Sequence, residues 1–154
     1  MERTNRLLRA TRYAMSLLII LAMTMSLTGC SIKLIAAYDE ATDQGITQLQ
    51  RRVDGFLIEL QRKVGTPEAA YEKNVKFYDD VRLDVDVLRV RAQAKPKNEI
   101  TVEQLFLIVD NINKLETYHK LGFQKAEEIA PMLSAFDISF MAILKLELAK
   151  KRRE

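Results

Sequence analysis

From residue 38 onward, apolar side chains recur at steps of three and four along nearly the whole chain. That period places them on one stripe of an α-helix, so each segment must bury that stripe against another helix. Tyr38, Ile46, Leu49, Val53, Phe56, Leu60 and Val64 make the first stripe. Gly65 is a C-cap candidate, and Thr66-Pro67-Glu68 supplies an N-cap, a proline at the first helical position and an early acid. So tight a connection predicts a second helix folded back antiparallel, using Tyr71, Val75, Tyr78, Val81, Val85, Leu88 and Ala92. It ends before Lys95-Pro96-Lys97-Asn98.

A third helix is predicted from a capping box of Thr101 with Gln104 and a staple of Ile100 with Leu105. It runs through Ile108, Val109, Ile112 and Leu115 to about Leu121, with Gly122 as its stop. The fourth stripe is Ala126, Ile129, Leu133, Phe136, Phe140 and Ile143, where Pro131 either kinks the helix or starts it anew after a short one. Acid-to-base pairs four residues apart (Glu59–Lys63, Glu72–Lys76, Glu116–Lys120, Glu147–Lys151) mark the expected solvated faces. Residues 80–87 (DVRLDVDV) alternate like a strand, but nothing else alternates comparably to pair with them, so helix is the expectation. The predicted fold class is therefore all-α: an antiparallel bundle of about four helices over residues 38–154.

The first thirty residues have another character. Arg3, Arg6, Arg9 and Arg12 precede residues 14–27, which are apolar apart from Ser and Thr. A basic stretch followed by a short apolar one is the layout of a secretory signal. It closes on Leu27-Thr28-Gly29-Cys30, which resembles the lipobox of bacterial lipoproteins: aliphatic, small, small, Cys. The resemblance implies cleavage between Gly29 and Cys30, a diacylglyceryl thioether on Cys30 and acylation of the new amine. By the same analogy, Ser31 after the cysteine favours the outer membrane, with the domain in the periplasm. Residues 1–29 are then a signal peptide and 30–37 a short tether, apolar through Ile32, Leu34 and Ile35. The competing reading keeps the leader as an inner-membrane signal anchor, since residues 14–37 are apolar except for Lys33 and a few hydroxyls.

Loss of the leader changes the charge balance. The chain holds 24 basic and 21 acidic residues; residues 1–29 take four Arg and one Glu, leaving 20 of each. No electrostatic footprint for nucleic acid remains. One cysteine excludes an intramolecular disulfide framework or a Cys-rich zinc site, and five glycines form no phosphate-binding loop. His119 is the one histidine; Glu116-Thr117-Tyr118-His119 spells the E-x-x-H of di-iron bundles, which need that motif twice. A histidine at the helix end, near the C-terminal dipole, is the expectation. Haem would have to pair His119 with Met132 or Met141, residues that helical spacing assigns to packing. Asp79-Asp80 and Glu127-Glu128 are adjacent and diverge on a helix, so no catalytic carboxylate pair forms. The sequence thus names no catalytic residue, no metal ligand and no cofactor beyond the lipid on Cys30.

Apolar residues off the main stripes carry the functional expectation. Leu83, Val87 and Val90 lie opposite Val81, Val85 and Leu88, and Ile138 and Met141 leave the stripe of Phe136 and Phe140. Either both faces are buried between neighbouring helices or one is left for a partner. The expected function is a non-catalytic envelope adaptor, accessory subunit or inhibitor, engaging an envelope protein or a second copy of itself. The alternative is a bundle that binds a cofactor or ligand. Lys150-Lys151-Arg152-Arg153 is expected as a frayed basic helix end, or as a contact for anionic head groups.

Overall fold

The computed structural model describes residues 34–153 together with Met15. The expected signal peptide, cleavage site and lipidated Cys30, Gly29 included, fall in residues 1–33, which apart from Met15 lie outside the described residues. Four long helices account for most of the described chain: α1 (Glu40–Lys63), α2 (Tyr71–Gln93), α3 (Glu99–Leu121) and α4 (Ala130–Lys151). Short 3-10 turns, Pro67–Ala69 and Ala126–Glu128, precede α2 and α4. At about 1.5 Å rise per residue each long helix spans roughly 33–36 Å. Packing joins α1 to α2, α2 to α3, α3 to α4 and α4 back to α1. The helices therefore form a square with α2 and α4 on one diagonal, as short connections between antiparallel neighbours require.

One core fills the square. Ile46, Leu49, Val53, Leu57 and Leu60 of α1 meet Tyr78, Val81, Val85, Leu88 and Ala92 of α2. Leu105, Ile108, Ile112 and Leu115 of α3 and Phe136, Phe140 and Ile143 of α4 complete it. These follow the predicted stripes with one slip in α1: Leu57 is buried where Phe56 was expected. Phe56 lies half-buried instead, stacked on Phe77 with ring centroids 3.6 Å apart. Tyr38 lies before α1, half-buried, its hydroxyl donating to Asp43 Oδ2 at 2.7 Å. Val75 of α2 is exposed rather than in the core.

Residues 80–87 are helical throughout. Their alternation yields to the wider stripe, since Val81, Val85 and Leu88 reach the core only at helical steps. Gly65 and Gly122 end their helices at φ +85° and +83°, the left-handed region that a side chain resists. Pro67 starts a 3-10 turn, with α2 beginning four residues later, and Pro131 stands in the first turn of a helix begun anew.

The predicted start of α3 is corrected. Asn98, not Thr101, precedes the first helical residue, and Ile100 is exposed, so neither capping box nor staple forms. Starting earlier turns Thr101 inward, where its hydroxyl meets Glu147 and Lys150 of α4. The predicted frayed end is corrected at Lys150 by the same cluster, while Arg152 and Arg153 lie exposed past the helix. Lys150 is 4% exposed and donates to Asn98 Oδ1 (2.6 Å), Thr101 Oγ1 (2.7 Å) and Glu147 Oε1 (2.5 Å). Glu147, fully buried, therefore pairs inward with Lys150, while Lys151 sits over the Tyr38 ring. Of the other expected surface pairs, Glu59–Lys63 and Glu116–Lys120 form, whereas Lys76 turns to Asp80.

Candidate functional site

Two apolar faces point away from the core. On α2, Leu83, Val87 and Val90 are 64%, 60% and 57% exposed, on the side opposite the buried Val81, Val85 and Leu88. On α4, Ile138 and Met141 are 67% and 52% exposed, and Leu148 joins them at 49%. Neither face is covered by a neighbouring helix, so burial between helices does not account for them. The two groups do not form one surface, because α2 and α4 are diagonal and face opposite ways. Residues Ala126–Lys151 are long and apolar enough to cross a bilayer by length and composition. Here α4 lies against α1 and α3, with its surplus of apolar residues turned outward.

Further exposed apolar residues went unread in the sequence. Phe106 and Leu107 are half-exposed. Five apolar residues in succession, 105–109, could have revealed them, since a 100° step cannot turn all five to one side. Arg89 lies over the Phe106 ring, 5.7 Å from its centroid, beside a groove of about 460 Å³ between α2 and α3. At the other end of the bundle Tyr118, Leu121, Phe123, Pro131 and Met132 line a second groove, of about 430 Å³.

The E-x-x-H residues point to different partners. His119 is buried; its Nε2 lies 2.7 Å from Ala69 O and its Nδ1 2.7 Å from the Tyr78 hydroxyl. A carbonyl oxygen only accepts, so Nε2 carries the proton and, in the neutral ring, Nδ1 accepts from Tyr78. Both nitrogens are thereby committed to tying the α2 entry and α2 itself to the end of α3. Burial pushes the Tyr78 phenol well above its ordinary range, which keeps it a donor. Glu116 instead accepts from Tyr71 (2.5 Å) and Arg82 and pairs with Lys120 (3.0 Å). Burial alone would raise its pKa, but these hydrogen bonds outweigh it and hold the carboxyl down at about 2. In metal terms, no group of three His, Cys, Asp or Glu among the described residues is placed to hold an ion. Met132 is half-buried beside the second groove and Met141 is exposed on α4.

The adjacent carboxylates stay apart in function. Asp80 is engaged by Lys76, Asp79 is exposed, and Glu128 accepts from the Gln124 amide. A pair unseen in the sequence is Asp54 of α1 with Asp137 of α4. Partial burial, then the Asp137 charge, raises the Asp54 carboxyl, whose Oδ1 is buried without a hydrogen bond.

At the end of the bundle where residue 34 enters, polar side chains fasten the chain. The Ala36 amide donates to Lys97 O at 2.9 Å. Asp39 accepts from Arg91 and pairs with Lys95, and the Arg91 hydrogen bond holds its carboxyl far below the usual range. These contacts bind the incoming segment to the end of α2 and the loop after it, and Lys151 of α4 over the Tyr38 ring adds a contact to α4. No family model, no curated protein and no solved structure matches this chain.

Proposed function

We propose that the chain is a membrane-tethered, non-catalytic interaction module: an acylated Cys30 holds the bundle at the outer membrane, in the periplasm, and exposed helix faces engage a protein partner. The observation that carries this reading is the Leu83–Val87–Val90 face, three branched aliphatics more than half exposed on a helix whose other side is fully buried. Leaving such a patch in water gains the fold nothing, and contiguous exposed apolar patches mark contact surfaces. The lipobox-like Leu27-Thr28-Gly29-Cys30 supplies the anchor, and the fastening of residues 36–39 holds the domain close to it. From Cys30 to Ala36 an extended chain reaches only about 20 Å.

The test is Leu83→Glu with Val87→Glu in the full chain. Both side chains are outside the core, so the helical signal and melting should persist while crosslinking to protein in the native envelope is lost. Unfolding by these substitutions would refute the reading. Intact mass of the membrane-extracted protein, with Cys30→Ala as control, tests the anchor; retention of residues 1–29 would favour the inner-membrane signal anchor.

A second reading rests on the groove lined by Tyr118, Leu121, Phe123, Pro131 and Met132, whose volume of about 430 Å³ suits a small apolar ligand. Co-purification of a small molecule lost on Leu121→Asp would favour it.

A further inference from the structure

The two exposed faces match each other in shape of pattern and in charge. Around the α2 face the outward acids are Glu72, Asp79 and Asp86, all exposed. Of the bases on this side, Lys76 is taken up by Asp80, Arg89 pairs with Asp86 while reaching across to Phe106 of α3, and Lys73, also exposed, lies toward Glu68. Around the α4 face the exposed charges are Lys145, Arg152 and Arg153, with one acid, Asp137, sharing a groove with Met141, Lys145 and Leu148 and facing Asp54 of α1. Glu72 and Asp79 leave the α2 face with an acidic surplus, and Lys145, Arg152 and Arg153 give the α4 face a basic one, each around an apolar centre.

Their heights match as well. α2 and α4 run the same way, since each is antiparallel to the helices beside it. Gly45 of α1 lies against Leu88 and Gln50 of α1 shares a groove with Met141, so residue 88 stands about level with residue 146, and Ala92 with Lys150, the ends that Asn98 bridges. Counting back from that level, Leu83 and Met141 both come nine residues earlier, and Val90 and Leu148 both two. Asp86 and Lys145 come six and five residues earlier, within about one helical rise of 1.5 Å.

We infer that a second copy of this chain covers these faces, the α2 face of one copy lying parallel on the α4 face of the next. The inference rests on the proposed reading of the exposed faces as protein contacts and names the partner. Leu83 meets Met141, Val90 meets Leu148, and Asp86 pairs with Lys145 across the contact. The contact is heterologous, so each copy keeps one free face of each kind and the assembly grows as a row. All copies in the row have the same end toward the incoming segment, as tethering to one bilayer demands. A stripe of this length buries less than the roughly 1,200 Å² of a stable dimer in solution, so the row needs the high effective concentration of tethered chains.

The test places a photo-crosslinking benzoylphenylalanine at position 83 of the full chain in intact cells, and identifies the adduct by mass spectrometry. The expected product has twice the chain mass and joins position 83 to the peptide holding Met141. An intramolecular route to that product is closed, because α2 and α4 do not touch. Asp86→Lys or Lys145→Asp alone should each cut the adduct about fivefold, and the two together in one chain should restore it. Failure of the double variant to restore it, or an adduct joining position 83 to the α2 peptide of another copy, overturns the α2-on-α4 pairing. An adduct to a different protein overturns self-assembly while leaving the interaction module intact. Absence of any protein adduct overturns both.

Discussion

Replacing Lys150 with Met should be among the most destabilising single substitutions on this surface-to-core boundary. Methionine nearly matches the lysine stem in volume, so packing changes little and the lost charge dominates. The amine donates three hydrogen bonds, to Asn98, Thr101 and Glu147. Without it Glu147, at 0% exposure, keeps the long 3.2 Å contact from Thr101, and its Oε2 already has no hydrogen-bond partner. Breaking one side of a buried ion pair costs about 3–5 kcal/mol, mostly the desolvation of the charge left behind. For a domain of this size that lowers Tm by about 12–20 °C. Glu147→Met with Lys150→Met removes both charges. Asn98 then keeps its bond to Ala92 O and Thr101 can turn to its own helix backbone, so the pair of changes should cost under about 2 kcal/mol.

Urea titration of the full chain in mild detergent, followed by helical circular dichroism, measures all three variants against the parent. A coupling of at least about 2 kcal/mol between the two positions is expected, at unchanged m-value. A Lys150→Met cost below about 1 kcal/mol, or a double variant no more stable than Lys150→Met, would refute the argument that an uncompensated charge is the cause. Because the cluster stands beside the Ala36–Lys97 contact, the same variant should raise proteolysis around residues 34–39.

Two further outcomes follow from the carboxylates. Glu116 titrates at about 2 against an ordinary 4.5, so its contribution is complete above about 4.5 and lost as pH falls toward 2. Glu116→Gln should cost about 1–2 kcal/mol at neutral pH, allowing for solvent around the network, and flatten that acid limb in a pH series of urea midpoints. Asp54 is shifted the other way, so its ionised form opposes folding at neutral pH and the penalty fades as pH falls through its raised value. Asp54→Asn should therefore gain about 0.5–1 kcal/mol at neutral pH and nothing in acid, read from the same midpoints.

Periodicity made the bundle legible because it reports which positions are buried, independently of residue type. The places where the reading failed are those where residue type was allowed to overrule position. Glu147 and Lys150 continue the stripe of Phe136, Phe140 and Ile143 at steps of four and three. Position alone therefore assigned them to the core, but their charge suggested a solvated helix end. His119 stands in the last turn of α3, as expected, and its burial follows from position too, since it continues Ile108, Ile112 and Leu115 at a step of four. The capping box failed for a related reason. Thr101 has a good capping side chain, but its position also continues the stripe of Leu105 and Ile108, and the buried amine of Lys150 needed an acceptor there. Phe56 lost its core place to Leu57 because Phe77 offered it a stacking partner on the neighbouring helix, a contact no one-dimensional pattern contains.

The candidate site was legible for the opposite reason. Leu83, Val87 and Val90 violate the stripe rule on α2, and in the folded bundle they remain in water. A fold that hides a lysine and a histidine in its interior while leaving three branched aliphatics outside has not run short of apolar residues. Burying these polar groups required desolvation, which hydrogen bonds had to offset, whereas apolar side chains at those positions would have been simpler for stability. The arrangement makes physical sense when the aliphatics are covered by something beyond the chain. It also separates two duties along α2, whose inner face holds the bundle together and whose outer face can change without loss of fold. Substitutions at Leu83 and Val87 should therefore alter association and leave unfolding free energy nearly unchanged, while those at Val81 and Val85 should do the reverse.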